Sequence, residues 1–246
     1  MFHYPFNPAE LSKTAELWWN LFGFYLLVAI IIGALVYAGL IFIPLYYARR
    51  RGGGVDEIQP GVIPGERGRT IIVGAIVLLI LGSFLTVFVE SYISVNKLSE
   101  PLQELEIVDE VKKAEDISIF DGRDDILVVE VVGFQWGWTF RYPNGIETDK
   151  LYLPQNRLVL FRVVSEDVFH TFTIPDLRVK IDAIPGQVNV FWTLPEKPGT
   201  YRVQCYELCG VGHAEMITKA VVLPPELFEF WYDSLGEVII ESLEVR

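Results

Sequence analysis

Both cysteines of the chain lie on one short stretch, Val203-Gln204-Cys205-Tyr206-Glu207-Leu208-Cys209-Gly210-Val211-Gly212-His213-Ala214-Glu215-Met216. The same stretch holds one of the three histidines and the only methionine besides Met1. Thiolate, thioether and imidazole donors this close together suit a transition metal, and thioether beside thiolate points to copper rather than zinc. A second imidazole has to come from elsewhere. Outside the N-terminal tail only His170 can supply it, on the strand-like run Asp167-Val168-Phe169-His170-Thr171-Phe172. A mononuclear blue-copper centre needs two His, one Cys and a weak axial Met. This chain offers that set and one cysteine more, and two thiolates between two imidazoles allow two coppers that share both sulfurs. Two plainer readings stand beside it. Cysteines four apart in an extracytoplasmic domain can form a disulfide, and zinc binds Cys and His, although structural zinc seldom recruits methionine.

The pattern Cys-x-Glu-x-Cys-x-x-x-His-x-x-Met, preceded by a distant His, resembles the dinuclear copper (CuA) loop of the cytochrome c oxidase subunit II family. Val179-Lys180-Ile181-Asp182-Ala183-Ile184-Pro185-Gly186-Gln187 is similar to the family's Asp-Ala-Ile-Pro-Gly turn, and Gly133-Phe134-Gln135-Trp136-Gly137-Trp138 resembles its aromatic segment. The resemblance runs from the first apolar segment to about Val222. It implies that Cys205 and Cys209 bridge two copper ions and that His170 and His213 bind one each. Met216 is then a weak ligand to one ion and the backbone carbonyl of Glu207 to the other. The same resemblance has the Glu207 side chain help hold magnesium at the boundary with the catalytic subunit, where the plain alternative is an exposed loop glutamate. It also makes Trp136 the aromatic that accepts the electron from the donor. Trp136 and Trp138, two apart on an expected strand, are read as facing one side, one as the entry aromatic and the other as packing. Gly210 and Gly212 are expected to supply tight turns that fold His213 back. At Gln187 the chain departs from the family, where many members have arginine, so the resemblance does not carry over a route to the haem through that residue.

An electron-transfer centre should change shape little when its charge changes, and ligands fixed on the strands and a tight loop of a rigid β-sandwich meet that need. From Ile126 onward the sequence supplies such strands. Ile126–Val132, Leu158–Val164, Val188–Trp192 and Thr200–Val203 are rich in β-branched and aromatic residues, with Pro, Gly and Asn between them. Their spacing predicts an all-β, cupredoxin-like sandwich.

Ahead of it come two uncharged runs, Leu17 to Ala48 and Thr70 to Val89. About 20 apolar residues cross a bilayer as a helix, so the runs predict a two-helix transmembrane hairpin with spans at about 19–47 and 70–90. A cleavable signal peptide fits the first run poorly, because its apolar part is too long. Trp18, Trp19, Tyr46 and Tyr47 sit where interfacial anchors belong. The connection carries Arg49, Arg50, Arg51, Arg67 and Arg69 against Asp56, Glu57 and Glu66, which marks it as cytoplasmic and puts both termini and the copper domain outside. In the family a carboxylate at the start of the second span helps protons enter a channel of the catalytic subunit. Glu66 occupies that place, with an interfacial pair to Arg67 or Arg69 as the plain alternative. The expected organisation is thus a tail over 1–16, the hairpin over 17–95, a linker or surface helix over 96–125, the copper domain over 126–223 and a helical tail over 224–246.

A mean hydropathy of +0.34 agrees with a membrane protein. The chain has 20 basic and 32 acidic side chains; six basic and five acidic ones lie before Glu90, which leaves 14 and 27 and a balance of −13 for the remainder. Such a surface excludes nucleic acid as a partner and would attract a basic soluble protein. Together these features describe the electron-entry subunit of a haem-copper terminal oxidase. It would take electrons from a soluble donor, cytochrome c or a blue copper protein, and act beside catalytic subunit I and other oxidase subunits in the lipid bilayer, with dioxygen reduced in another chain. The alternative is a membrane-tethered copper-binding or carrier protein, for which one span would suffice. Nitrous oxide reductase shares the copper loop but is soluble, and quinol oxidase subunits share the fold but lack the cysteines.

Overall fold

The structure, a computed structural model, describes residues 10–50 and 66–234. It divides into two units: Asn20–Asn96, and the segment ending at Trp19 together with the chain from Lys97 onward. The first unit is the body of two helices, α1 (Lys13–Arg50) and α2 (Glu66–Glu104). Leu27, Ile31, Leu35, Leu78 and Leu85 all stand exposed on them. Apolar side chains that find no protein core are those of lipid-facing helices, and both helices are long and apolar enough to cross a membrane. Tyr25 and Ser91 share a hydrogen bond between the two.

Both helices outrun the expected spans of 19–47 and 70–90, for local reasons. Ser12 caps α1: its Oγ accepts from the Ala15 N–H at 3.1 Å. The capped turn is held against the sandwich, where Ser12 and Thr14 hydroxyls donate to the Leu177 carbonyl at 2.9 and 2.5 Å and the Arg178 guanidinium lies 3.7 Å from the centre of the Trp18 ring. At the other end, α2 persists to Glu104 because Leu98 and Leu102 still have an apolar surface to cover, that of Val111, Phe120, Val128 and Trp192. The Leu98 carbonyl accepts from the Trp192 indole N–H at 2.8 Å.

Among the described residues, ten strands make two five-stranded sheets. One has the order β3 (Glu147–Thr148), β2 (Gly137–Arg141), β1 (Ile126–Phe134), β5 (Leu158–Ser165), β8 (Asn189–Thr193). The other runs β4 (Leu151–Pro154), β10 (Ile217–Leu223), β9 (Gly199–Cys205), β6 (His170–Ile174), β7 (Val179–Ala183). β1 pairs parallel with β5 and β4 with β10, and the other neighbours run antiparallel. This is the cupredoxin-like sandwich expected after the hairpin. Strand β1 reads as one apolar run because both its faces are covered. Leu127, Val129 and Val131 point into the core between the sheets, whereas Ile126 and Val128 meet the end of α2, the short helix α3 (Val108–Lys113) and the turn Ile117–Phe120. Strand β5 alternates in the same register, with Val159, Phe161 and Val163 inward and Leu160 outward. The helix α4 (Pro225–Asp233) packs Phe228 and Trp231 on the core; the remainder of the expected C-terminal tail lies outside the described residues.

The outer layer over 105–120 is fastened by one part-buried ion pair. Arg162 of β5 pairs with Glu130 of β1, and its Nε and Nη2 donate to the carbonyls of Val111 and Ala114 at 3.1 and 2.9 Å. Without Arg162, Glu130 keeps Arg141 as a partner at 3.2 Å, so the cost lies in the two carbonyl bonds of the charged guanidinium, about 3 kcal/mol together. Arg162→Ala should lower stability by that amount, whereas Arg123→Ala, which breaks the more exposed pair with Asp125, should cost less than about 1 kcal/mol. Denaturant midpoints of the detergent-solubilised variants check the difference; equal losses would contradict the assigned role of Arg162.

Candidate metal centre

The site is assembled by pairing register. In the β6–β9 ladder Phe172 stands opposite Cys205. Side chains two apart share a face, so His170 follows Phe172 inward and arrives beside the Cys205 sulfur, with Nδ1 at 3.9 Å from Sγ. Cys205 ends β9 and Ile217 begins β10, and the Cys205 N–H donates to the Met216 carbonyl at 3.2 Å. That bond closes the loop between the two strands. Within the loop, the His213 N–H donates to the Gly210 carbonyl at 3.2 Å and the Met216 N–H to the His213 carbonyl at 3.3 Å. Cys209, His213 and Met216 are thereby turned back over the end of the sandwich. Gly210, at φ +123°, sits where a side chain is disfavoured. Gly212 does not: φ −90° and ψ 9° are open to any residue, so the expected tight-turn role applies to Gly210 alone.

Cys205 Sγ and Cys209 Sγ lie 3.9 Å apart. His213 Nδ1 is 3.5 Å and Met216 Sδ 3.7 Å from Cys209 Sγ, and the Glu207 carbonyl is 3.2 Å from Cys205 Sγ. Both cysteines are free. A disulfide needs about 2.05 Å between sulfurs, which disposes of that reading in this state, while a metal–thiolate bond near 2.3 Å lets one ion reach both sulfurs. His170, Cys205, Cys209 and Met216 are all buried. Burial, the neighbouring Cys205 and its hydrogen bond push the Cys209 thiol up to about 11. Two adjacent buried thiols with two imidazoles, a thioether and a carbonyl fit soft cationic metal: the metal supplies the charge that allows both sulfurs to be thiolates.

Asp167 and Gln135 are site residues that sequence reasoning did not find. Asp167 Oδ1 is 2.9 Å from His170 Nε2, which fixes the ring with Nδ1 toward the sulfur. Its Oδ2 accepts from the Gln135 N–H at 2.7 Å. Burial opposes ionisation of Asp167, but the bonds from His170 and from the Val168 and Gln135 N–H groups outweigh it and hold the carboxyl below its ordinary range. A carboxylate three residues before the ligand histidine was the available signal. Below the histidine, Gly133 leaves no room for more: a Cβ there would lie 3.2 Å from His170 Cδ2 and 3.0 Å from Trp138 Cζ3.

Trp136 and Trp138 do not share a face, as the expected strand required. The ladder breaks between β1 and β2, which pair down to Phe134 and Gly137, so Trp136 lies in the turn between them. Its ring is 40% exposed and Trp138 is buried. Trp138 packs edge-on to His170 and Phe172, with ring centres 6.0 and 5.5 Å apart. Trp136 Nε1 and Gln135 Nε2 both donate to the Cys209 carbonyl, at 3.3 and 2.6 Å. The Asp-Ala-Ile-Pro-Gly segment buttresses the ligand strand: Thr171 Oγ1 donates to Asp182 Oδ1 at 2.9 Å, and His170 stands opposite Ala183. Gln187 is exposed and donates to Asn189. Glu66 opens α2, and its side chain lies outside the described residues.

Fold and donor set define a membrane-anchored β-sandwich protein with a buried cysteine–histidine site for soft metal. Comparison with known proteins carries this further. The family model for the periplasmic domain of cytochrome c oxidase subunit II matches residues 145–222. The chain is 35% identical over 238 residues to the haem-copper oxidase subunit 2 of Aeropyrum pernix, a match spanning 94% of this chain and 95% of that protein. It is 37% identical over 135 residues to a probable cytochrome c oxidase subunit 2 of Rickettsia bellii, across 46% of this chain and 50% of that one. The crystal structure of the periplasmic domain of subunit II from Bradyrhizobium japonicum covers 45% of this chain and 94% of its own, at 32% identity and a TM-score of 0.43. The chain belongs to the subunit II family of haem-copper oxidases. It is therefore a subunit of an oxidase complex, anchored in the membrane, from a family that binds copper.

The Asp167 bond predicts a loss of affinity without a loss of ligands. Asp167→Ala should weaken copper binding by about 10- to 100-fold, read by titration against a competing chelator. Glu166→Gln next to it, whose carboxylate faces Arg141 instead, should leave affinity unchanged. Equal affinities in all three proteins would show that His170 is oriented by packing alone.

Proposed function

We propose that this chain is the electron-entry subunit of its oxidase, receiving electrons from a soluble donor at a dinuclear copper centre held by His170, Cys205, Cys209, His213, Met216 and the Glu207 carbonyl. One observation carries the reading: the two free thiol sulfurs lie 3.9 Å apart, and each has a different histidine Nδ1 beside it. A mononuclear blue-copper site would need only one of those thiols. When bound, the metal pair supplies a one-electron store in which both sulfurs share the added charge. The protein's part is to keep the donors still. Register fixes His170, the Cys205–Met216 bond closes the loop, and Gln135 holds the Cys209 carbonyl at 2.6 Å.

Trp136 is the entry aromatic in this reading: its ring is partly exposed while its N–H touches the carbonyl of a ligand residue. The exposed apolar side chains Phe169, Leu208 and Val211 on the ligand segments offer a surface for partner proteins, and the acidic balance of the sandwich favours a basic donor such as a cytochrome c over an acidic one. Electrons then pass to the haem of catalytic subunit I, where oxygen is reduced to water. The Glu207 side chain is half-buried in the loop, and its proposed magnesium role, like proton entry at Glu66, rests on family resemblance. The arginines of the connection between α1 and α2 support a cytoplasmic connection, with both termini and the sandwich outside.

The full chain in detergent should bind two coppers and show an EPR spectrum in which one unpaired electron is shared by both. Cys209→Ser should abolish that pattern. A single-copper spectrum from the unaltered chain, or uptake of zinc alone, would sink the dinuclear reading. Trp136→Ala should leave the spectrum intact and slow electron uptake from reduced cytochrome c.

A further inference from the structure

Gly212 needs an explanation that its backbone does not give. Its φ and ψ suit any residue, yet it lies next to His213 in a loop where every other donor position is accounted for. The explanation is the Trp136 ring. A Cβ on Gly212 would lie 2.5 Å from Trp136 Cδ2, 2.7 Å from Cγ and 2.8 Å from Cε3. A Cβ on Gly210 would lie 3.1 Å from Trp136 Nε1, 3.2 Å from Cζ2 and 2.9 Å from Gln135 Nε2. These five ring atoms span the indole from its pyrrole edge to its benzene edge, so the ring lies flat across the two glycines. Its N–H reaches the Cys209 carbonyl from that position.

The arrangement cannot be a core constraint. Trp136 is 40% exposed, so its ring can shift toward solvent from an added methyl group. Only its distance from Cys209 would change. We infer that Gly212, with Gly210, is a positioning residue for electron entry: the absent side chains form a seat that sets how closely the Trp136 ring approaches the ligand loop. The inference rests on the reading of Trp136 as the entry aromatic. One electron leaves the reduced donor and one arrives at the centre, with no bond made or broken. The rate is then governed by the gap that the seat keeps short.

The test combines a structural and a kinetic readout on the full chain. With 5-fluorotryptophan incorporated, the Trp136 resonance is identified by its loss in Trp136→Phe. In the metal-free protein, Gly212→Ala should shift that resonance and leave the others in place. In the copper-loaded protein, the same variant should keep the EPR spectrum and be reduced several times more slowly by cytochrome c, because electron transfer falls off steeply as the gap widens. In a Trp136→Ala background, Gly212→Ala should have no further effect, because both changes act through one ring. An unshifted resonance, or an equal slowing with and without the ring, overturns the seat. A shifted resonance with uptake unaffected by both Gly212→Ala and Trp136→Ala upholds the seat and overturns Trp136 as the entry point. Should Gly212→Ala fail to fold, the double variant Gly212→Ala/Trp136→Ala decides: recovery of folding identifies the ring as the obstacle, and continued failure rules it out.

Discussion

Two sulfurs 3.9 Å apart in a buried pocket can both become thiolates only when a cation joins them. Desolvation and mutual repulsion hold the Cys209 thiol protonated up to about 11, so ionising both sulfurs without metal is costly. The rest of the site follows from imposing that meeting. The sulfurs belong to a strand end and to the loop beyond it, and neither can retreat: Cys205 is in the ladder with β6, and the loop is shut by the Cys205–Met216 backbone bond. A flexible chain could avoid placing two thiolates together by turning one sulfur away. A sandwich with a packed aromatic floor, where Phe172 touches Trp138, Phe140 and Phe161 edge-on, offers no such escape.

That floor makes the core and the site a single constraint. His170 and Phe172 lie on the same face of β6, and Phe172 is opposite Cys205. A slip of one residue in this register would send both side chains to the other face of the sheet. It would remove the ligand from the thiols and the aromatic from the middle of the core together. The apolar burial that stabilises the sandwich therefore also selects the one register in which the donors converge.

The donors were legible from sequence because soft ligands are scarce in this chain, and scarcity makes spacing informative. Two cysteines, one internal methionine and one histidine in twelve positions have few uses. The long apolar runs were legible for a related reason, since nothing else accounts for a charge-free stretch such as Leu17 to Ala48. Less was readable where chemistry is shared with ordinary turns. Asp167 looks like any loop acid until the fold brings it to His170 and to the Gln135 N–H. Trp136 read as a strand residue because aromatic alternation is a strand signal. Instead Gln135 and Trp136 form the two-residue turn of the β1–β2 hairpin, closed by the Phe134–Gly137 pair. The strands β2, β3, β4, β7 and β10 were also not read from the sequence. Several are short, and β7 carries Lys180 and Asp182 within five residues, which dilutes the β-branched signal that marked β1 and β5.

The exposed apolar side chains follow from the same economy. A buried centre that exchanges electrons with other proteins needs a short path to the surface, and every charged group placed over it would enlarge the reorganisation of water at each transfer. The ligand segments instead present Phe169, Trp136, Leu208 and Val211. Such side chains give up water readily when a partner docks, which lowers the local dielectric just where the electron crosses. Glu166, Asp167 and Glu215 stand exposed on the same segments, and with the wider acidic excess of the chain they can act at long range on approach. Contact by apolar surface and steering by charge thus share one end of the domain: Phe169, Leu208 and Val211 can shed water against a partner while the acids beside them and farther off guide its approach.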